Sequence, residues 1–218
     1  MYTRLAIAAI FGSLSLSVVH AGGDMSGGFQ VRYASNLTIG DSVVNFTNDG
    51  ASSTATGLET GGFQNGNLCV NVYAYSPDEQ LVSCCTCLVT PNGLASLSVS
   101  NDLVSNTLTP IRPSAAVVKL VGSSGVNGSC NAATVSRTGA NLLTPGLIAW
   151  GTTIHALPTT NGTPAGTYGV TETAFSRATL SNAELMRMTQ LCGFIQANGS
   201  GYGICKSCRF GGLGAATK

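Results

Sequence analysis

Three of the chain's eight cysteines crowd into four residues, Cys84-Cys85-Thr86-Cys87, and this crowding most limits what the chain can fold into. On an extended strand, Cys85 and Cys87 point to one face and Cys84 to the other. A bridge between Cys85 and Cys87 would need β-carbons about 3.8 Å apart, far closer than same-face neighbours on one strand lie. Each of the three is therefore expected to reach a different element. The other five are Cys69, Cys130 and Cys192, which stand alone, and Cys205 and Cys208, which close the chain as Cys205-Lys206-Ser207-Cys208.

What eight cysteines mean depends on compartment. Residues 1–21 read as a secretory signal peptide: Arg4 is a short basic start, Leu5 to Val19 is apolar, and Val19-His20-Ala21 fits the small-x-small cleavage pattern. The apolar stretch is shorter than the roughly 20 residues a membrane span needs, and no second run of spanning length follows, so no transmembrane span is expected after cleavage. An even cysteine count in an exported chain reads as a disulfide framework, which places the protein outside the cell or on its surface.

Removal of Arg4 with the signal takes the formal charge from +1 to zero, and charged residues are only 9% of the chain against about 25% in ordinary globular proteins. Such a surface lacks the basic field that nucleic acid requires, so nucleic acid is not an expected partner. Sparse charge near neutrality also favours self-association.

Glycine is abundant (28 residues), and the serine-, threonine- and asparagine-rich composition favours strands joined by turns. Residues 22–30 read as a flexible Gly-rich leader and 31–218 as a single β-rich domain. Strand-like segments run over Gln30–Tyr33, Ser42–Thr47, Leu94–Val104, Ser114–Val121, Leu147–Leu157 and Thr167–Ala174, with a long surface loop over Ala51–Asn67. Leu68 to Thr90 reads as a hairpin turning at Ser76-Pro77-Asp78-Glu79, with Leu68, Val70, Val72 and Ala74 facing inward and Cys69, Asn71, Tyr73 and Tyr75 on the polar side. Ser181-Asn182-Ala183-Glu184 is a capping-box pattern, and Leu185, Met188, Leu191 or Cys192, and Ile195 recur at helical spacing before Asn198-Gly199. The fold class expected is mainly β: a disulfide-stabilised β-sandwich or barrel-like domain with one C-terminal helix over about 182–197.

Within that fold, Cys69 lies across the hairpin from the cluster and is expected to bridge to one of its three cysteines. Cys192 is a natural partner for Cys205 or Cys208. The cluster would then tie the hairpin to both faces of its sheet, and Cys205 and Cys208 would fasten the chain end. Two other readings compete. The Cys-x-Cys and Cys-x-x-Cys pairs could together bind zinc through four thiolates, or Cys205 and Cys208 could form a redox pair beside Lys206 and Arg209. No metal or cofactor is expected, and the Cys-x-x-Cys is not followed by the histidine that covalent haem attachment uses.

Candidate catalytic groups are few. After the signal the chain keeps one histidine, His155, and contains no Gly-x-Ser-x-Gly elbow. Asp78 and Glu79 read as turn residues, Glu184 is explained by its cap, and Glu172 is the least explained acid. Gly199-Ser200-Gly201-Tyr202-Gly203 follows a helix and reads as a stop, not a phosphate loop. Five Asn-x-Ser/Thr sequons, at Asn36, Asn45, Asn127, Asn161 and Asn198, point weakly to exposed positions. Tyr73, Tyr75 and Trp150 are candidate sugar-stacking residues, although the tyrosines are equally explained by packing beneath the Ala51–Asn67 loop.

The segment from Leu68-Cys69-Val70-Asn71-Val72-Tyr73 through Cys84-Cys85-Thr86-Cys87-Leu88-Val89-Thr90-Pro91-Asn92, with Cys192-Gly193-Phe194-Ile195-Gln196-Ala197-Asn198-Gly199 and the closing Cys-x-x-Cys, resembles uncharacterised secreted proteins predicted from soil bacteria of the acidobacterial type. The resemblance covers most of the chain after the signal and implies neither an activity nor a catalytic residue. The expected function is a non-enzymatic structural protein, a self-assembling filament subunit or an adhesin. Residues Gly22 to Thr47 would add a strand to a neighbouring copy. The alternatives are a carbohydrate-binding module and a secreted hydrolase.

Overall fold

The protein is described here by a computed structural model covering residues 28–51, 66–109, 111–126, 129–159, 164–206 and 208–210. The expected signal peptide, most of the Gly-rich leader and most of the Ala51–Asn67 loop lie outside the described residues.

Among the described residues, ten strands and one α-helix follow in the order β1 (Phe29–Ala34), β2 (Val43–Asn48), β3 (Leu68–Tyr75), β4 (Leu81–Val89), β5 (Leu94–Ser98), β6 (Ala116–Ser123), β7 (Leu147–Ala156), β8 (Tyr168–Ala174), β9 (Ser176–Arg177), α1 (Asn182–Asn198) and β10 (Arg209–Phe210). They form two antiparallel five-stranded sheets, ordered β4-β3-β6-β1-β9 and β10-β5-β2-β7-β8. The two sheets make a sandwich, not a closed barrel. The third layer is α1, laid on the outer face of the first sheet.

Two apolar clusters hold the layers together. Val44, Phe46, Leu68, Val70, Val72, Leu97, Val118, Leu120 and Leu147 fill the space between the sheets. Tyr73, Tyr75, Cys84 and Val121 meet Leu185, Met188, Cys192 and Ile195 of α1 on the opposite face. All eight residues of β3 are buried as a result. The expectation that its Cys69-Asn71-Tyr73-Tyr75 side is a polar face is therefore corrected, because α1 and the Cys130–Leu143 segment cover it. Asn71 is buried there too, and its amide donates to Val121 O (2.9 Å) and Ser123 Oγ (2.8 Å), so it carries no unpaired amide hydrogens into the core.

The helix forms where its pattern placed it, with Leu185, Met188, Cys192 and Ile195 as its buried stripe. Ser181 Oγ accepts from the Glu184 amide (3.1 Å), and Gly199 closes the helix with φ 68°, a left-handed conformation that glycine adopts at little cost. Only half the capping box forms. The Glu184 carboxylate pairs instead with the Lys119 ammonium on β6, which lies beneath the first turn.

The strand expected over Leu94–Val104 stops at Ser98. Val99–Leu103 makes a wide helical turn in which Ser98 Oγ accepts from Asn101 N (2.9 Å) and an Asp102 carboxylate oxygen accepts from Ser98 N (2.7 Å). Asp41 accepts from Ser100 N (2.8 Å). These short polar side chains offer the backbone partners that a sheet ladder would otherwise supply.

Candidate functional site

The cysteines define the most elaborately built region. Strand pairing sets Cys85 and Cys87 toward the inter-sheet core and Cys84 toward α1, as alternation on β4 requires. Cys84 joins Cys192 on the helix, with Cα atoms 5.8 Å apart. Cys69, on the same outer face of β3, joins Cys130 (5.5 Å), just before the short helical turn Ala132–Thr134 that also packs on α1. Cys85 joins Cys205 (5.3 Å) and Cys87 joins Cys208 (5.7 Å). Each face of the β3–β4 hairpin thus carries two bridges.

This pairing corrects three expectations. Cys69 does not cross the hairpin, because the outward-facing partner it would need, Cys84, is taken by the helix. Cys192 does not pair with the chain end, because Gly199 to Gly203 carries the tail away from α1 to the edge of β4. There the Cys84 amide donates to Gly203 O (2.9 Å) and the Cys205 amide to Cys84 O (3.3 Å). Cys85 and Cys87 do not reach different elements, since both meet that one tail. The tail runs on from β4 of one sheet to β10, which pairs with β5 of the other. All eight sulfurs are bridged. A zinc site would need four thiolates, and a Cys205–Cys208 redox pair would need those two to face each other, so neither reading survives.

Beneath α1, Tyr73 donates its hydroxyl to Ala132 O (2.6 Å), and the Lys119 ammonium lies 4.7 Å from the centre of the Tyr75 ring. Burial drives the Tyr73 phenol far above its ordinary value. Burial, reinforced by the Glu184 carboxylate and opposed by Arg187, pushes Tyr75 up to about 12. Both rings are buried in the cluster beneath α1, so neither is available to stack on a sugar, and most of the Ala51–Asn67 loop expected to cover them lies outside the described residues. Trp150 is different: it is half-buried on the solvent side of the second sheet.

The candidate acid and base do not converge. His155 pairs with Gly169 and Glu172 with Thr152 along the β7–β8 ribbon, which puts their side chains on opposite faces of it. Asp78 is a turn residue as expected: Ser76 Oγ and Gln80 Nε2 both donate to its carboxylate, and Glu79 takes φ 68° in the same turn. Among the sequons, Asn36 and Asn198 are exposed, Asn127 and Asn161 lie outside the described residues, and Asn45 is buried and accepts from Ser96 Oγ (2.6 Å). Asn45 therefore does not mark an exposed position.

Sequence reasoning passed over Arg32. It lies on β1, points inward at the rim of the sandwich and is 8% exposed. Its guanidinium donates to Thr173 O (2.8 Å), Thr173 Oγ1 (2.5 Å) and Thr153 Oγ1 (2.8 Å), and it lies 5.9 Å from the Phe175 ring. Burial lowers its pKa, and the Glu172 carboxylate opposes that effect. Two open grooves flank these features: an apolar one of about 800 Å³ between α1 and the β3–β4 turn, with Met186 and Phe194 exposed, and one of about 390 Å³ beside Arg32. Among the described residues no cluster of metal-ligating side chains forms, and no helix is long and apolar enough to cross a membrane.

The chain matches no family model, no curated protein and no solved structure.

Proposed function

We propose that the protein is a non-enzymatic structural subunit that works outside the cytoplasm and self-associates into a surface filament or matrix. The observation that carries this reading is the set of four bridges on the β3–β4 hairpin, which fasten α1, the Ala132–Thr134 turn and the tail to one sheet. Disulfides of this density belong to an oxidising compartment, and they suit a domain that must persist without repair. The sparse charge supports the assembly part of the reading, because little electrostatic repulsion keeps copies apart. Residues 29–34 and 43–47 of the segment expected to be donated already lie in interior strands. Strand donation by that segment would require β1 to leave its place between β6 and β9.

Electron microscopy of the purified protein and of producing cells, with sedimentation across a concentration series, tests this reading. Fibres or concentration-dependent oligomers are expected; monomers at every concentration, with no labelled surface structure, would remove it. A second reading, a glycan-binding module, rests on Trp150 alone. It requires polysaccharide retention that Trp150→Ala abolishes.

A further inference from the structure

We infer that β8 is the edge through which two copies of this chain join, antiparallel about a two-fold axis at Thr171, so that their second sheets merge into one. The inference rests on the self-associating structural role proposed above and names its joint.

Three of the four sheet edges are short or covered. β9 and β10 are two residues each, and β4 is flanked by the tail through the Gly203 and Cys205 backbone bonds and two disulfides. β8 is seven residues long, lies at the end of its sheet and pairs with β7 without a bulge. Proteins usually blunt such an edge with lysine, proline, a bulge or a covering segment, and β8 has none of these among the described residues. Val170 is 67% and Tyr168 46% exposed on it, and Glu172 is its single charge.

The backbone of β8 is poised for a partner. Leu157 N donates to Thr167 O (3.0 Å) and Phe175 N to Ala149 O (2.9 Å). In an antiparallel ladder these two bonds set the parity: Gly169, Thr171 and Thr173 turn their amides and carbonyls toward β7. Tyr168, Val170, Glu172 and Ala174 turn theirs outward, where no described residue meets them.

A second copy satisfies this row fully. With the axis at Thr171, Tyr168 faces Ala174 of the second copy and Val170 faces Glu172, so all four outward residues exchange bonds. Thr171 meets its own copy at the close, non-hydrogen-bonded position, where threonine pairs are favourable. Glu172 does not oppose itself. Such a contact is isologous and stops at a dimer, so a filament would be built from dimers through another surface.

Sedimentation of the wild type and of Val170→Pro, Thr171→Lys and Thr171→Glu tests the joint, with circular dichroism and non-reducing mass analysis to confirm folding. Proline at 170 removes one outward donor from each copy and leaves the bonds to β7 intact, so association should weaken about tenfold or more. Thr171→Lys and Thr171→Glu should each stay monomeric alone and associate when mixed. A wild type that associates, with variants that associate equally well, overturns the β8 joint and leaves the structural role standing. A monomeric wild type overturns both. If Val170→Pro does not fold, the charge pair at Thr171 decides.

Discussion

Tyr73 and Tyr75 lie two residues apart on one face of β3, yet their hydroxyl groups meet different surroundings. The Tyr73 hydroxyl satisfies the buried Ala132 carbonyl, whereas the Tyr75 hydroxyl is buried without a protein partner among the described residues. Tyr73→Phe leaves that carbonyl unpaired and is expected to cost about 1–2 kcal/mol in urea unfolding. Tyr75→Phe removes a group that makes no bond, so its cost is within about 0.5 kcal/mol or reversed in sign. Alkaline pH separates the same pair of variants. A phenol raised by burial holds its proton more tightly folded than unfolded, so its contribution is complete below the unfolded value of about 10 and is lost as pH rises toward the folded one. For Tyr75 that window runs from about 10 to about 12. The wild type should therefore lose stability more steeply across it than Tyr75→Phe, and equal slopes would show that the ring is not buried as described.

At the scale of elements, α1 is held by an apolar stripe, one ion pair and the Cys84–Cys192 bridge. The bridge spans 108 residues in sequence, but with Cys85–Cys205 intact the loop it closes is only roughly 15 residues long: from Cys192 to Cys205, then across to Cys84. In the chain-entropy account that loop corresponds to about 3 kcal/mol. Replacing both Cys84 and Cys192 by alanine should cost about that much and speed amide exchange across Asn182–Asn198, while the tail stays protected. Unchanged exchange in α1 would show that the stripe alone holds it. This helix was legible in the sequence because its cap, stripe and stop are contiguous, from Ser181 to Gly199. The bridges were not, since which tail cysteine faces β4 depends on where the chain travels after Gly203, far in sequence from its partner. Alternation in β3 was legible too, but alternation does not say whether a third layer covers the second face. Arg32 gave no signal at all, because the threonines that satisfy it come from β7 and β8, more than a hundred positions away.

Across the whole molecule the reinforcement is lopsided. Every disulfide has one end on β3 or β4, and none lies within the second sheet. That sheet joins the bridged hairpin at one end, through the turn from β4 into β5 and the two residues of β10, and it finishes at the other in β8, whose residues are almost all exposed. Local stability should follow burial and cross-linking, so the molecule carries a gradient from its stapled hairpin to its bare ribbon. Hydrogen exchange on dilute protein is expected to find β3 slowest. Within β8 the amides of Gly169, Thr171 and Thr173 should exchange more slowly than those of Val170, Glu172 and Ala174, which face away from β7. Raising the concentration should slow the second group selectively, since those are the amides a second copy would engage. Even protection over both sheets would contradict the gradient, and protection of β8 independent of both parity and concentration would contradict the edge geometry from which the pairing was inferred.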